Sequence, residues 1–530
     1  MRKRKKFSEK EIKYLKTVYC DTSLSWDERI EKIKKKFNVK AERTVRNWLS
    51  ELGIKKVVTE KSDQLKQAEK MKTDKRYKTF FITWAQNNTP VHDNFFNNLE
   101  VYAQKENAKI HVIAGRYQNP TSLFSSDDET WHSKVLPYLD AGRHRIKDDI
   151  CILSDIRIRP TAVTPLTGLS NIEEGCSCIF GHPKLHFEPL PRLGDDIPYQ
   201  IYTTGACTLP NYTDSKSGKK GESKHKIGFV RIRIVEDDKY FITQVEADEN
   251  GNFHDLDNAV YDGKVSKSNT SQALIVGDLH SGKHNPVVID NTLELIEEMS
   301  PSSIILHDVF DGESISHHHT KDPFKQYSKE FKGTNDLQKE LDCMMDLLIR
   351  FFETEKDCYI VRSNHDEHLD KWLKDGDWKK QATSKNSKLY MELSKSLLEQ
   401  YERDFVWGVI PEDIVKTGMK RKKQDGSIWA CSVLGRNDEL KIGNLSVSQH
   451  GDLGANGSRA GINQYNRINK PGVYAHTHAP SRKDDILFVG TSTYLRLDYN
   501  TGLSSWMNSH VLIHNNYKPQ HIHFVRGEYK

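Results

Sequence analysis

The stretch SQALIVGDLHSGKH, residues 271–284, decides how the second half of this chain is expected to fold. Its apolar run, ALIV, is typical of a short strand buried on both faces, and it ends abruptly in Asp278 and His280. Binding and catalytic sites of α/β proteins are built at the carboxyl ends of such strands. The stretch therefore predicts a buried sheet with an acid and an imidazole at its edge.

Four later segments repeat this pattern, each an apolar run that leads into Asp, Asn or His. A single ending of this kind is more often a satisfied core residue, but five in one chain are hard to attribute to chance. The four segments are SSIILHDVFDG (302–312), DCYIVRSNHDEH (357–368), LSVSQHGD (445–452) and VYAHTHAP (473–480).

The polar residues at these strand ends form a coherent set of metal ligands. Carboxylate, amide and imidazole donors without cysteine suit two divalent ions, with Mn²⁺ favoured over Fe, Zn²⁺ or Mg²⁺. The set is too large for one ion and about right for two ions that share a carboxylate. An isolated H-x-H pair is more often a solvated loop, but here each histidine of the pair would serve a different ion. The predicted ligands are Asp278, His280, Asp308, Asn364, His450, His476 and His478.

In this order the motifs D-x-H, H-D, N-H-D, H and H-x-H resemble those of the calcineurin-like metallophosphoesterases, over about residues 270–530. The resemblance implies a two-sheet β-sandwich flanked by helices, with a dimetal site at the strand ends. It implies that Asp308 bridges the ions and that His365 is an acid that stabilises or protonates the leaving oxygen. It also implies one metal on Asp278, His280 and His478, and the other on Asn364, His450 and His476.

The match to this family has three departures. Where the family usually has glycine, this chain has His307, Ser363 and Ala475, each beside a ligand, which puts the local backbone geometry in question. The later histidines of HVLIHNNYKPQHIHF are expected on a strand surface rather than as ligands. They are His510, His514, His521 and His523.

The N-terminal segment 1–58 carries 18 Lys and Arg against 8 Asp and Glu, a balance of +10 in a chain of net charge +5. Its apolar spacing and the capping box of Ser8 and Glu11 predict three short helices with a tight turn before the third. This pattern is typical of a helix-turn-helix DNA-binding domain. A small protein-interaction bundle is the alternative. The third helix would present Arg43, Thr44, Arg46 and Asn47 to DNA.

The remaining chain predicts a multidomain α/β protein. Residues 59–75 are polar and lysine-rich, and we expect a linker or an exposed helix there. Residues 76–265 are predicted as a separate α/β domain of unknown role. Its predicted elements include strands at 78–85, 109–115 and 158–163 (IRPTAV) and a helix at 93–106. Residues 266–530 form the predicted phosphoesterase domain.

The bulk composition indicates the cellular compartment in which this protein is expected. The eight cysteines are scattered without a C-x-x-C pair, and the basic N-terminus is not followed by an apolar segment, so neither a disulfide framework nor a secretory signal is predicted. No run approaches a membrane span. We expect a cytoplasmic protein, in the host cytoplasm if phage-encoded, that engages DNA and no membrane. The sequence does not decide whether the protein forms a homo-oligomer.

Three functions are weighed from the sequence. A metal-dependent DNase is favoured, because a DNA-binding domain on the same chain raises the local substrate concentration. A phosphatase or small phosphodiesterase localised by its N-terminus is the alternative, and a DNA-binding regulator with an inactive phosphoesterase fold is disfavoured by the full ligand set. The chain resembles the DNA-degrading proteins of large tailed phages, those of T5-like phages in particular.

One motif of the repair-type nucleases in this family is incomplete. Those nucleases have a further histidine three residues after the bridging acid, where this chain has Asp311. The triplet His317, His318 and His319 follows shortly after and could substitute, or it could be a solvated loop.

Overall fold

The computed structural model describes residues 7–19, 26–54, 62–119, 121, 129–194, 197–236, 239–316, 319, 322–375, 385–402, 412–422 and 429–530. Between Ser62 and Asp63 the chain divides into two units, each with its own internal packing.

The N-terminal unit contains the three predicted helices, α1 (Glu9–Tyr19), α2 (Trp26–Phe37) and α3 (Glu42–Glu51). The predicted capping box starts α1: the Ser8 N–H donates to Glu11 Oε2 at 2.8 Å, and the Glu11 N–H donates to Ser8 Oγ at 3.4 Å. The helices enclose a small apolar core of Leu15, Ile30, Ile33, Val45, Leu49 and Ile54.

The larger unit, from Asp63 onward, is a mixed α/β structure. Its described helices are α4 (Asp63–Ala68), α5 (Asp93–Lys105), α6 (Lys216–Glu222), α7 (Pro286–Met299), α8 (Pro323–Lys332), α9 (Leu337–Phe352), α10 (Glu367–Lys374), α11 (Ser387–Glu402), α12 (Glu412–Lys422) and α13 (Ile462–Ile468). Its first strands are β1 (Thr79–Gln86), β2 (Ala108–Gly115), β3 (Leu139–Asp140), β4 (Arg143–Lys147), β5 (Ile150–Leu153), β6 (Ser177–Phe180), β7 (His186–Leu190), β8 (Tyr199–Thr203), β9 (Gly228–Glu236), β10 (Lys239–Glu246), β11 (Phe253–Asp255), β12 (Asn258–Tyr261) and β13 (Lys264–Lys267).

The later strands carry the site. They are β14 (Ser271–Ile275), β15 (Pro301–His307), β16 (Asp357–Val361), β17 (Cys431–Leu434), β18 (Lys441–Ile442), β19 (Leu445–Ser446), β20 (Gly472–Tyr474), β21 (Ser481–Lys483), β22 (Ile486–Phe488), β23 (Ser509–Ile513) and β24 (Pro519–His523). The sheets have the orders β10-β9-β1-β2-β3, β11-β12-β13, β17-β16-β15-β14-β23-β24 and β18-β19-β20-β22-β21-β7-β8-β6-β5-β4.

The six-stranded sheet packs on one half of the ten-stranded sheet. Alternate residues of β14 explain why: Ala273 and Ile275 face the apolar layer shared with Val473 and Leu487 of the second sheet. Leu274 points the other way, into a layer covered by α7 and α9. The result is a two-sheet sandwich with helices on the outer face of the six-stranded sheet.

The five-stranded sheet packs on the other half of the ten-stranded sheet, through Phe80, Ile82 and Trp84 of β1 and neighbours on β5 to β8. Helix α5 covers its opposite face. The predicted strands at 78–85 and 109–115 and the helix at 93–106 are therefore confirmed within a residue. The predicted strand at 158–163 is wrong, since these residues form no strand and Pro160 has no N–H to donate.

One sheet crosses the domain boundary that the sequence suggests at residue 265. Strand β21 pairs with β7, with Arg482 opposite Phe187 and Lys483 opposite His186. The fully buried Arg482 also forms an ion pair with Glu246 of β10. Residues of the predicted linker belong to this unit as well, because Leu65 of α4 is buried in the layer beneath α5. No described helix combines the length and apolar character that crossing a membrane requires.

Candidate metal centre

The five predicted strand ends meet at one edge of the sandwich. Strands β14, β15 and β16 are parallel neighbours, as are β19 and β20, so the loops that follow them leave from the same side. Asp278 and His280 follow β14, Asp308 follows β15 directly and Asn364 follows β16. His450 follows β19, and His476 and His478 follow β20.

Four of the predicted ligands form one tight, buried group: Asp278, His280, Asp308 and His478. The Nε2 atoms of His280 and His478 are only 3.0 Å apart. The His280 Nε2 lies 3.2 Å from Asp308 Oδ2, and the His478 Nε2 lies 3.1 Å from Asp278 Oδ2. Two imidazole nitrogens this close need a shared proton or a cation between them.

Asp308 also faces a second set of ligands. The oxygen that lies near His280, Asp308 Oδ2, is 3.3 Å from His450 Nε2. The rings of His450 and His476 are 5.2 Å apart, which places His476 on this second side. The main-chain N–H of His476 donates to Asp278 Oδ2 at 2.9 Å and ties the two sides together.

The buried polar atoms of the centre fit cations. Seven of them have no hydrogen-bond partner among the described residues, which is costly unless something else satisfies them. They are Asp278 Oδ1, both carboxylate oxygens of Asp308, Asn364 Oδ1, both ring nitrogens of His450 and His478 Nδ1. Oxygen and imidazole donors that converge with their lone pairs unmatched are a suitable set for divalent metal ions.

The pKa shifts of the centre arise because buried carboxylates and imidazoles lie close together there. Burial opposes a positive charge on His450, yet the carboxylate of Asp308 raises the His450 pKa to about 9. Burial likewise opposes charge on His280, but Asp308 raises the His280 pKa well above its usual value. Burial would raise the pKa of Asp308, and His450 and His280 hold it well below its usual range. The carboxylates thus favour positive charge here, and a bound metal ion would displace these protons.

Four of the predicted ligands have a backbone conformation that residues with side chains rarely adopt. The φ angles are 42° at His280, 45° at Asp308, 76° at His476 and 56° at His478. Such left-handed conformations are uncommon outside glycine and cluster at functional sites. His307, Ser363 and Ala475, which replace the glycines of the resembled family, do not adopt a positive φ and leave the ligands in place.

Asp311 orients two histidines of the centre, a role that sequence reasoning missed. Its Oδ1 lies 3.1 Å from His280 Nδ1, which turns His280 Nε2 toward the ligand group. Its main-chain carbonyl lies 2.8 Å from His365 Nδ1. His365 packs edge-on against His280, with ring centroids 4.5 Å apart. It is not part of the four-residue group, but with His280 and Asp311 it forms a separate group that could hold a metal ion. The only sequence signal was position, three residues after Asp308.

Replacing Asp311 with alanine should weaken metal binding about 10- to 100-fold, the usual effect of removing the partner that orients a histidine ligand. The His365 contact should persist, because it uses the main-chain carbonyl of residue 311. Titration of the metal-free protein with Mn²⁺ by isothermal calorimetry measures the change. Asp311→Asn keeps an acceptor for His280 Nδ1 and should lose less, whereas equal metal affinity in all three proteins would contradict the role.

The histidines of the last two strands are buried, so the prediction of a strand surface is wrong. They lie between two packed layers, where both faces of a strand are covered. His510 supports the centre: its Nδ1 accepts the Gly277 N–H at 3.0 Å, next to Asp278, and its Nε2 lies 2.8 Å from Thr292 Oγ1. The others are buried as well; they are His514, His521 and His523.

A second buried group of ligand-type residues is His111, Asp140 and His144. The two oxygens of Asp140 lie 3.0 Å from His111 Nδ1 and 2.7 Å from His144 Nε2. The Ser154 hydroxyl and the Gly142 N–H also donate to this carboxylate. Because its hydrogen bonds are made within the protein, this group is a structural network.

The predicted DNA-contacting residues lie on α3 as expected. Arg43, Arg46 and Asn47 are exposed, whereas Thr44 is half-buried. Arg46 pairs with Glu42 one turn earlier, at 2.6 Å. His317 and His318 lie outside the described residues.

Comparison with known proteins finds sequence similarity to Protein A1 of Escherichia phage T5. The two sequences are 28% identical over 473 residues, which is 86% of this chain and 83% of Protein A1. No protein-family model matches the chain. No solved structure matches it either. The similarity covers most of the chain and fits the sequence-based expectation of a T5-like phage protein.

Proposed function

We propose that this protein is a calcineurin-like metallophosphoesterase that hydrolyses DNA phosphodiester bonds with two divalent ions. One observation carries the proposal: Asp308 Oδ2 faces His280 Nε2 at 3.2 Å and His450 Nε2 at 3.3 Å. A carboxylate between two sets of imidazoles is what a bridged pair of ions requires. The sandwich of two sheets, the outer helices and the site at the strand ends also agree with the fold of that family.

In this proposal each set of residues holds one ion, with Mn²⁺ favoured by the mixed oxygen and nitrogen donors. Two ions bound here would activate a water nucleophile and stabilise charge on the phosphoryl oxygens. Asp308 contributes to both sets. The first also has Asp278, His280 and His478, and the second has Asn364, His450 and His476.

His365 is the proposed acid that assists the leaving oxygen. Its Nδ1 donates to the carbonyl of Asp311 at 2.8 Å, so in the neutral ring Nε2 is the unprotonated nitrogen. Burial, and then the charge of His280, lower the His365 pKa. The lowered pKa leaves Nε2 without a proton near neutral pH, so His365 would act as an acid only once the negative charge of a bound phosphodiester raises its pKa.

The choice of DNA as substrate rests on the N-terminal unit. The unit presents basic and amide side chains on α3, residue types that contact phosphates and base edges. A phosphatase or small phosphodiesterase would use the same metal centre, so the substrate must be tested directly.

The substrate test uses three compounds with Mn²⁺: linear duplex DNA, covalently closed DNA and bis(p-nitrophenyl) phosphate. A DNase should release acid-soluble nucleotides from linear DNA, and attack on closed circles would indicate endonuclease activity. Hydrolysis of the small ester without any cleavage of DNA would favour the alternative function. No hydrolysis of any of them, with Mn²⁺ bound, would overturn the phosphoesterase proposal.

Deleting residues 1–58 should weaken DNA binding and flatten its dependence on salt. Each phosphate contact that is lost removes about 0.9 from the slope of log affinity against log salt concentration. Hydrolysis of bis(p-nitrophenyl) phosphate should be unchanged, because the metal centre is built from residues 278–478. Fluorescence anisotropy with labelled duplex DNA at several salt concentrations measures the slope.

A matched pair of double variants tests whether α3 is the contacting surface. Arg43→Ala with Arg46→Ala and Lys10→Ala with Lys13→Ala remove the same charge from different helices of the unit. The α3 pair should reproduce most of the effect of the deletion, and the α1 pair should not. Equal effects of both pairs would indicate that the N-terminal unit binds DNA through its overall positive charge. An unchanged salt dependence of DNA binding in the deletion variant would contradict the hypothesis that residues 1–58 bind DNA.

A further inference from the structure

Helix α8 (Pro323–Lys332) exposes aromatic side chains where a surface helix normally exposes polar ones. The exposed fractions are 83% for Phe324, 72% for Tyr327 and 80% for Phe331. Their spacing, i, i+3 and i+7, places all three on one face of the helix. The residue of α8 that is buried is a lysine, Lys329. We refer to Phe324, Tyr327 and Phe331 as the aromatic face.

Such a face is costly in water unless it has a binding role. Contiguous exposed apolar surface marks interaction sites, whereas single exposed hydrophobic residues are ordinary. The rings of Tyr327 and Phe331 are nearly parallel, 18° apart, with centroids separated by 6.3 Å. Flat surfaces in this arrangement are suited to stacking against other flat rings.

The aromatic face is connected to the metal centre through one loop. Lys325 of α8 lies 3.3 Å from Asp498. The next residue, Tyr499, packs against Trp506 with centroids 5.8 Å apart, and Trp506 packs against His478 at 4.1 Å. Aromatic side chains therefore run from the proposed ligand His478 to Tyr499, and the ion pair of Asp498 with Lys325 joins this loop to α8.

Two lysines flank the aromatic face: Lys325 is next in sequence to Phe324, and Lys332 is next to Phe331. Lys329 is buried and faces away from a ligand on this surface. The acids nearby are Asp322, Glu330 and Asp498, the last of them paired with Lys325. Aromatic rings alternating with lysines is the pattern with which proteins hold unpaired nucleic acid: bases stack on the rings and phosphates lie beside the cations.

We propose that the aromatic face of α8 binds an unpaired stretch of the nucleic acid substrate by base stacking and leads that strand toward the metal centre. The proposal rests on the proposed function, since it names the form of DNA that reaches the site. Double-stranded DNA cannot stack its bases on side chains without unpairing. The surface therefore selects single-stranded ends or gaps.

The test compares full-length variants in EDTA, so that binding is measured without cleavage. The probe is a fluorescein-labelled oligothymidylate of about 15 nucleotides, and anisotropy gives its affinity. Combined alanine substitution of Phe324, Tyr327 and Phe331 should weaken binding about 1,000-fold, because each of the three lost stacked bases costs about 10-fold. Blunt duplex DNA should be bound with less than about a 2-fold change.

Two controls separate stacking from other uses of the face. Combined leucine substitution keeps apolar surface and helix propensity but removes the rings, so it should lose affinity as alanine does. Tyr517→Ala removes a half-exposed tyrosine between β23 and β24, at the end of the sheet away from Ser509, and should bind like the wild type. Circular dichroism checks that the variants are folded.

Each outcome decides the proposal. Wild-type affinity for oligothymidylate in the leucine or alanine variant overturns it, as does failure of the wild-type protein to bind the probe. The alanine variant could instead form a smaller assembly in solution, measured as its molecular mass, with unchanged affinity for the oligonucleotide. That result would overturn the proposal and assign the aromatic face to contacts between copies of the protein. If affinity falls as expected but no protein hydrolyses bis(p-nitrophenyl) phosphate with Mn²⁺, the stacking surface stands and the proposed function fails.

Discussion

Replacing Asp308 with alanine should lower DNA hydrolysis by at least about 10⁴-fold, equivalent to about 5.4 kcal/mol of transition-state stabilisation. The reason is that one oxygen of Asp308 faces both His280 and His450, so its loss removes a ligand from both sides of the centre. Duplex DNA binding should change little, because the proposed reader lies in another unit. Gel-based cleavage assays with Mn²⁺ and anisotropy binding measure the two effects.

The variant should remain folded. Asp308 is buried and its charge raises the pKa of His280 and His450. Without it these imidazoles can lose their protons rather than remain as unpaired buried charges, which would cost several kcal/mol. Thermal unfolding at about pH 8, where neutral imidazoles are favoured, should therefore show only a modest change.

Asp290→Ala is the matched control for this experiment. Asp290 lies on α7 and pairs with Arg350 at the surface, at 2.6 Å, and an exposed pair of this kind contributes little. The control should keep wild-type activity and metal content. If Asp308→Ala also keeps its activity with Mn²⁺, the assignment of the metal centre is wrong.

The convergence of Asp278, His280, Asp308 and His478 could be predicted from sequence, because each lies just beyond a short apolar run. A run such as ALIV can only be a buried strand or part of a buried helix, and its abrupt ending in Asp278 marks the strand end. Parallel strands bring their carboxyl ends together, so residues far apart in sequence, such as Asp278 and His478, meet without any local signal that joins them.

Asp311 and the late histidines show what the sequence leaves open. The role of Asp311 depends on which ring nitrogen of His280 it contacts, and that is set by side-chain orientation rather than spacing. His510 alternates with apolar residues, which suggests a solvated face, but β23 is covered on both sides. Alternation of polar and apolar residues distinguishes faces only when one of them meets water.

The ten-stranded sheet was also beyond prediction. The pairing of β7 with β21 joins Phe187 to Arg482, and nothing near either residue specifies the other. Composition shifts mark where a chain changes pattern, yet a sheet can continue across such a point. The boundary at residue 265 therefore separates stretches of sequence that share one sheet.

Replacing His365 with asparagine should lower turnover about 10²- to 10⁴-fold while the protein keeps its metal, since this is the range for losing a general acid. The asparagine amide nitrogen can take the place of Nδ1 and donate to the carbonyl of Asp311, so the loop should stay in position. Of the two ring nitrogens, only Nε2 is left without a counterpart. Single-turnover cleavage measures the rate, and elemental analysis measures the bound metal.

His365→Gln distinguishes the two ways in which His365 could act. The glutamine amide nitrogen reaches the position of Nε2 and can donate a hydrogen bond, but it cannot transfer a proton. If His365 only stabilises charge on the leaving oxygen, glutamine should recover much of the rate that asparagine loses. If proton transfer is required, both variants should be equally slow, and an activated leaving group such as p-nitrophenolate, which needs no proton, should restore the rate. Loss of metal from either variant would instead make His365 a ligand.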